Sequence, residues 1–389
     1  MKLWRYYLFC FLKDFFFISA VLIPFFTQWA SLSFTQITIL QSWFVLWIFL
    51  LEVPTGAVAD YLGRKYSLAL GGFVIAMAAV VYGSMPKFEI FLLGEFLFAM
   101  GNAFISGADQ ALLYDTLKET GRESESKKVF GKAHAINLFG IFVSAIIGSF
   151  IASKYGLNAP MLFSSFSFIL TGIVALSMKE PVVHKSESES KRYLIIVKAG
   201  FSFFYHHKAL RILAVDGILV ASAAYFVIWL YQPILRNLNI PIFYFGFVHA
   251  FLVATEMIVA NNFVRLEKLF GTSESFFKIT ALITGVSFFL VALLPNIATV
   301  VIFIICAGGF GLTRLELMSA YMNRHIPSAQ RATVLSSISM FRRFVLIFLN
   351  PIVGVITDYS LSISLLFIGL LPLAVFLFSP LTKELLEGE

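Results

Sequence analysis

The sequence predicts an all-α membrane protein of twelve transmembrane helices arranged as two pseudo-symmetric six-helix bundles. Three observations carry this. Of 389 residues, 59% are hydrophobic and 13% charged, with a mean hydropathy of +0.88, more apolar surface than a soluble core of this size hides. At about 20 residues per bilayer crossing, twelve apolar segments follow one another, at roughly 6 to 32, 37 to 58, 67 to 85, 88 to 115, 132 to 153, 159 to 178, 209 to 233, 240 to 264, 275 to 295, 297 to 320, 332 to 356 and 361 to 380. With an even number of spans and both termini inside, every Lys and Arg except Lys87, Lys154 and Arg236 falls on the cytoplasmic side, as the positive-inside rule requires. The expected location is the cell (inner) membrane, multi-pass, with cytoplasmic termini.

The first segment follows Lys2 and Arg5, is interrupted by Lys13-Asp14 and has no small-x-small cleavage site, so it reads as an uncleaved helix. Segments two and three enclose the stretch Leu51 to Gly72, which puts Gly56, Asp60, Gly63, Arg64 and Lys65 between two long apolar runs. The chain must leave the bilayer, reverse within a few residues and re-enter. Gly56 lets a neighbouring helix approach closely, and Gly63 supplies the permissive backbone for the reversal. Arg64 is expected to meet Asp115 where segment four returns, and Asp60 the start of segment eleven near Thr333, where free N–H groups favour an anion.

After segment six, Lys179 to Lys208 contains Ser186-Glu187-Ser188-Glu189-Ser190 followed by Lys191-Arg192, which cannot bury itself and marks a linker. It divides the chain into residues 1–180, a cytoplasmic linker 181–207, and residues 208–389. Tyr193 to His207 mixes apolar and basic residues, consistent with a short helix on the membrane surface. Gly148-Ser149-Phe150-Ile151-Ala152 closes segment five and Gly354-Val355-Ile356-Thr357-Asp358 closes segment eleven, the trace of a six-helix repeat.

An ionisable group in hydrocarbon must face a partner or a wet cavity. Segments three, six, nine and twelve carry none in their interiors, so every third helix reads as peripheral. Asp14, Glu95, Asp216 and Glu256 lie deepest and are the candidates for carrying a proton or meeting a charged substrate; burial favours the neutral form of a carboxyl group, so such a group can take a proton and release it to water. The alternative for each is a hydrogen bond to a neighbouring helix. Glu52, Asp109 and Asp115 lie nearer the surface, where ion pairs are expected. Trp43, Trp47, Trp229 and Gln232 are candidates for a cavity wall. Pro24, Pro233 and Pro351 favour kinks.

Several function classes are excluded or disfavoured. The net charge of +7 resides in short loop clusters, which argues against nucleic-acid binding. Cys10 and Cys306 both fall within apolar segments and read as small buried hydrophobes, and no metal or catalytic constellation occurs at helical spacing, so no metal site, cofactor or enzyme activity is expected. No phosphate loop of the G-x-x-x-x-G-K-[ST] type occurs, which disfavours a primary pump.

The spacing G-x-x-x-D-x-x-G-R-K from Gly56 to Lys65 resembles the signature of the loop between helices two and three of major facilitator superfamily transporters. Ser106 to Asp115, Gln232-Pro233, and Asn323-Arg324 through Arg331 to Ser336 are similar to a drug-efflux-like branch of that family. The resemblance implies its twelve-helix fold and a cytoplasmic gate formed by Gly56, Asp60, Gly63, Arg64, Lys65, Asp115 and Arg331. It also implies a small-molecule substrate, protons as coupling ion, the lipid bilayer as surroundings and a monomer. Proton-driven efflux by alternating access is the leading expectation, an uptake symporter for a metabolite the second, and a non-transporting receptor the third. Many proton-coupled drug antiporters carry an arginine in the outer part of helix four; here that place reads Gly94-Glu95.

Overall fold

A computed structural model describes residues 3–181, 207–327 and 331–387 of the chain. The expected linker and surface helix lie outside these residues, apart from Pro181 and His207. Every regular element among the described residues is helical, because hydrocarbon leaves backbone groups no partners except their own turn.

The helices follow the apolar segments: α1 (Leu3–Lys13), α2 (Phe34–Leu62), α3 (Arg64–Ser84), α4 (Phe88–Glu119), α5 (Ser126–Tyr155) and α6 (Ala159–Leu176). The second half gives α7 (Lys208–Asn237), α8 (Ile242–Asn261), α9 (Ser273–Leu293), α10 (Ile297–Met322), α11 (Arg331–Tyr359) and α12 (Leu361–Phe378), and a short α13 (Lys383–Glu387) follows. Eleven of these are long and apolar enough to cross a membrane, counted among the described residues. The first segment differs from the continuous span expected over 6 to 32. After α1 it breaks into a turn, a 3-10 turn at Ser19–Val21, a short helix ending at Pro24 and a π turn at Phe25–Trp29. Lys13-Asp14 and Pro24 bracket the break: the first two are drawn to polar partners, and the proline lacks the N–H that a continuous helix would use.

Local signals set the helix ends. Ser33 and Gln36 form a reciprocal capping box at the start of α2, and Asn296 and Thr299 form another at α10, satisfying N–H groups that have no partner within the helix. Gly63 ends α2 at φ +105°, a conformation that side chains disfavour. α7 is interrupted at Phe226, between Tyr225 and Val227. α10 widens into π geometry over Ile304–Gly311, a form that concentrates at functional positions.

The chain divides into two compact units. Described residues within Met1–Tyr193 and Pro241–Ala250 form the first, and those within Leu194–Ile240 and Phe251–Glu389 the second. In the first, α3 packs against α4 and α6; in the second, α9 packs against α12. The helices without interior charges thus pair with each other inside each unit. A Cβ on Gly72 of α3 would stand 2.7 Å from the backbone of Gly172 on α6, so van der Waals contact between bare backbones holds this pair.

Candidate functional site

The hairpin at Gly63 joins α2 to α3 and is held at the ends of α4 and α6 in the first unit. Arg64 forms an ion pair with Asp115 at the end of α4. Glu180, just past α6, accepts from the backbone N–H of Arg64 at 2.7 Å and of Lys65 at 2.8 Å, placing a negative charge where the first turn of α3 offers unsatisfied donors. Lys179 beside it pairs with Glu119 at 2.7 Å. Glu180 was not among the sequence candidates; its signal is an acidic residue at the polar end of segment six, level with the hairpin. Gly56 is buried, and a Cβ on Gly107 of α4 would lie 3.7 Å from it. Asp60 is exposed, and the Lys65 ammonium sits 4.8 Å from the Tyr66 ring centroid. Arg331 opens α11, its Nε donating to the Ile326 carbonyl at 3.4 Å. The expected approach of Asp60 to Thr333 falls on a side chain outside the described residues.

Each unit carries an ion pair between its first and fourth helices, part-buried in the first unit and buried in the second. In the first unit Lys13 of α1 meets Asp109 of α4 at 2.7 Å, and Tyr6 donates to the same carboxylate at 2.5 Å. In the second the signs are exchanged: Arg314 of α10 donates to Asp216 of α7 through Nε at 2.9 Å and Nη2 at 2.6 Å. Side chains there are only 1% and 2% exposed. Ser379 donates to the other Asp216 oxygen at 2.8 Å, while the remaining Arg314 nitrogen reaches the Phe277 carbonyl at 2.7 Å and Thr280 at 3.0 Å. Both Asp216 oxygens are therefore committed, the charge-assisted fork being the strong kind of hydrogen bond.

Glu95 of α4 is also committed. Tyr82 of α3 donates to it at 2.6 Å and Gln41 of α2 at 3.0 Å, inside an aromatic cluster of Phe25, Phe26, Phe91 and Phe98 around Tyr82. Asp14 sits in the turn after α1, within the electrostatic field of Lys13, Asp109 and His134. Trp43 donates its indole N–H to the Leu92 carbonyl at 3.1 Å, tying α2 to α4. The indole nitrogens of Trp47 and Trp229 are buried with no hydrogen-bond partner among the described residues, and Gln232 is buried.

Glu256 of α8 differs from the other three. Its carboxylate has no hydrogen-bond partner among the described residues and lies in the field of two charges, Glu316 of α10 and Arg342 of α11. Arg342 in turn feels Tyr225 of α7 and Arg343, and its Nε is buried with no partner among the described residues. The π stretch of α10 packs so closely on α8 at Gly309 that a Cβ there would come within 3.2 Å of Val259. Electrostatic interaction thus links residues of four helices of one unit: Glu256, Glu316, Arg342 with Arg343, and Tyr225. The sequence shows each charge but not these links.

A family model described as Major Facilitator Superfamily matches residues 7–349. An uncharacterized MFS-type transporter of Methanocaldococcus jannaschii is 22% identical over 223 residues, covering 57% of this chain and 56% of that protein. The chain spans about half the length of the curated relatives it matches first. The L-fucose-proton symporter of Escherichia coli is 26% identical over 134 residues, 34% of this chain and 30% of that protein. In fold, the chain is similar to a crystal structure of nucleoside transporter NupG, with a TM-score of 0.84 at 13% identity, over 96% of this chain and 98% of that one.

Proposed function

The chain belongs to the Major Facilitator Superfamily, and on that premise we propose that it moves a small molecule across the membrane by alternating access, driven by protons. The observation that carries the coupling is the state of Glu256. A carboxylate with no hydrogen-bond partner among the described residues, in the field of a second carboxylate and a guanidinium, can bind and release a proton without dismantling a described helix contact, and charge neutralisation there changes the local field. Asp216 and Glu95 are a poorer fit, since each is held by donors that fix neighbouring helices. The leading direction is export against proton entry. Proton symport is the second reading, favoured by the partial similarity to a relative named as an L-fucose-proton symporter.

The test is a proteoliposome assay with an imposed pH gradient of either sign, run against a panel of amphipathic, sugar-like and siderophore-like solutes. Accumulation of a solute should follow the gradient in wild type and fall to the protein-free level in Glu256→Gln, while exchange without a gradient continues, because exchange needs no net proton movement. Unchanged accumulation in Glu256→Gln removes this residue from coupling. Unchanged accumulation in all four variants, Asp14→Asn, Glu95→Gln, Asp216→Asn and Glu256→Gln, makes facilitated diffusion the better description.

A further inference from the structure

Beyond α12 the chain runs through Ser379, Pro380, Leu381 and Thr382 into α13 (Lys383–Glu387), and this segment folds back onto the second unit. Leu381 and Leu386 are 1% and 0% exposed, whereas Pro380, Thr382, Lys383 and Glu384 face outwards. The two leucines belong to an apolar cluster with Leu213 of α7, Phe277 of α9, Met322 of α10 and Ile338 of α11. It stands at the end of the unit where α7, α9 and α11 begin and α10 stops. Three side chains from outside the segment hold its backbone. Glu274 of α9 accepts from the Lys383 N–H at 3.1 Å, while His325 Nε2 donates to the Leu385 carbonyl at 2.6 Å and Arg324 to the Leu386 carbonyl at 3.4 Å. An acid at the start of α13 and basic side chains at its end are what a helix dipole favours.

The same cluster touches the buried ion pair. Phe277 accepts from Arg314 through its carbonyl at 2.7 Å, and its ring centroid lies 5.2 Å from that guanidinium. Ser379, where the segment starts, donates to Asp216 at 2.8 Å. Attraction within such a pair is strong because its surroundings are of low dielectric, so water entering at this end would weaken it. A helix of five residues has no stability of its own in water; α13 is folded because it is docked, which makes docked and released two distinct states. We propose that residues 379–387 form a lid that, when docked, seals the apolar end of the second unit and keeps water from Asp216 and Arg314, and that opens without unfolding the helices beneath it. Its polar anchors at Glu274, Arg324 and His325 grip main-chain atoms, so the two leucines set how tightly it closes. The lid acts whatever solute is moved and however that movement is driven.

The experiment is backbone hydrogen exchange of the purified full-length chain in detergent, read by mass spectrometry. Residues 276–281 of α9 report on water beside the ion pair, because Arg314 grips the Phe277 carbonyl, and residues 318–322 of α10 report on the rest of the cluster. Leu386→Ala removes most of one sealing side chain and should speed exchange in both stretches roughly 10- to 100-fold, since exchange tracks the open population. Leu381→Ala/Leu386→Ala should speed it further. Leu386→Met, which conserves volume, and Glu384→Gln on the outward face should keep wild-type rates, as should α3 and α6 of the first unit in every variant. Wild-type exchange of 276–281 in Leu386→Ala overturns the proposal. So does an equal acceleration at the far end of α9, residues 286–293, because the unit would then be unfolding as a whole and not opening at a lid.

Discussion

Single residues in this protein divide by whether a partner holds them. Asp216 and Arg314 are almost wholly buried and mutually satisfied, so removing one leaves a bare charge in a low-dielectric interior. Arg314→Leu is expected to cost about 3–5 kcal/mol, read as a lowered midpoint of thermal unfolding in detergent, and the pair exchange Asp216→Arg with Arg314→Asp should recover part of it. In the first unit Tyr6→Phe removes one hydrogen bond to Asp109 and leaves the Lys13 ion pair. Its expected cost is smaller, about 1.5–3 kcal/mol as for hydrogen bonds to charged groups. Glu256→Gln should behave unlike either. With no hydrogen bond to lose among the described residues, it should unfold at the wild-type midpoint while abolishing gradient-driven accumulation. That split between stability and coupling separates a residue holding helices together from one carrying a proton.

At the scale of elements, the α2–α3 hairpin is held by geometry as much as by charge. Gly63 adopts φ +105°, and a Cβ there would also lie 3.1 Å from Glu180. Gly63→Ala therefore strains the backbone and displaces the carboxylate that caps α3, with an expected loss of about 1–3 kcal/mol. Glu180→Gln keeps only one of the two acceptor oxygens and sets an amide NH2 against the other backbone N–H, so it loses a hydrogen bond as well as the charge, with an expected loss of about 1–3 kcal/mol. Thermal unfolding should show a lowered midpoint for both variants; a wild-type midpoint for Glu180→Gln removes this carboxylate as the cap that positions α3. The break after α1 belongs here too. Lys13 reaches Asp109 on α4, and the chain beyond it is short turns, not a continuous helix. Hydrophobicity alone reads that stretch as an ordinary span.

For the whole molecule, two compact units with their own ion pairs predict independent energetics. Gly72→Leu forces α3 from α6 in the first unit, and Gly285→Leu forces α9 from α12 in the second, where a Cβ would stand 2.6 Å from Leu373. Each should destabilise by about 1–3 kcal/mol, as overpacking does. Their described contacts share no partner, so the double variant should show the sum to within about 0.5 kcal/mol, measured by denaturant unfolding in detergent. A large departure from additivity would mean that the two sites are coupled.

The sequence by itself determined the class, the number of apolar segments and the tight hairpin. These follow from local quantities: bilayer thickness sets segment length, the cost of buried charge sets where ionisable residues stand, and the reversal at Gly63 needs only its immediate neighbours. Arg64 with Asp115 was also readable, since both end helices that turn at the same surface. Only the tertiary structure decided which carboxylates are committed. Asp216 finds Arg314 98 positions away, and Glu180 finds the start of α3 116 positions away. Asp14, Glu95, Asp216 and Glu256 share depth and chemistry in the sequence, and nothing local separates them. Pairing across helices does so, because a hydrogen-bond partner is a property of packing, and packing joins residues whose distance along the chain says nothing about their distance in space.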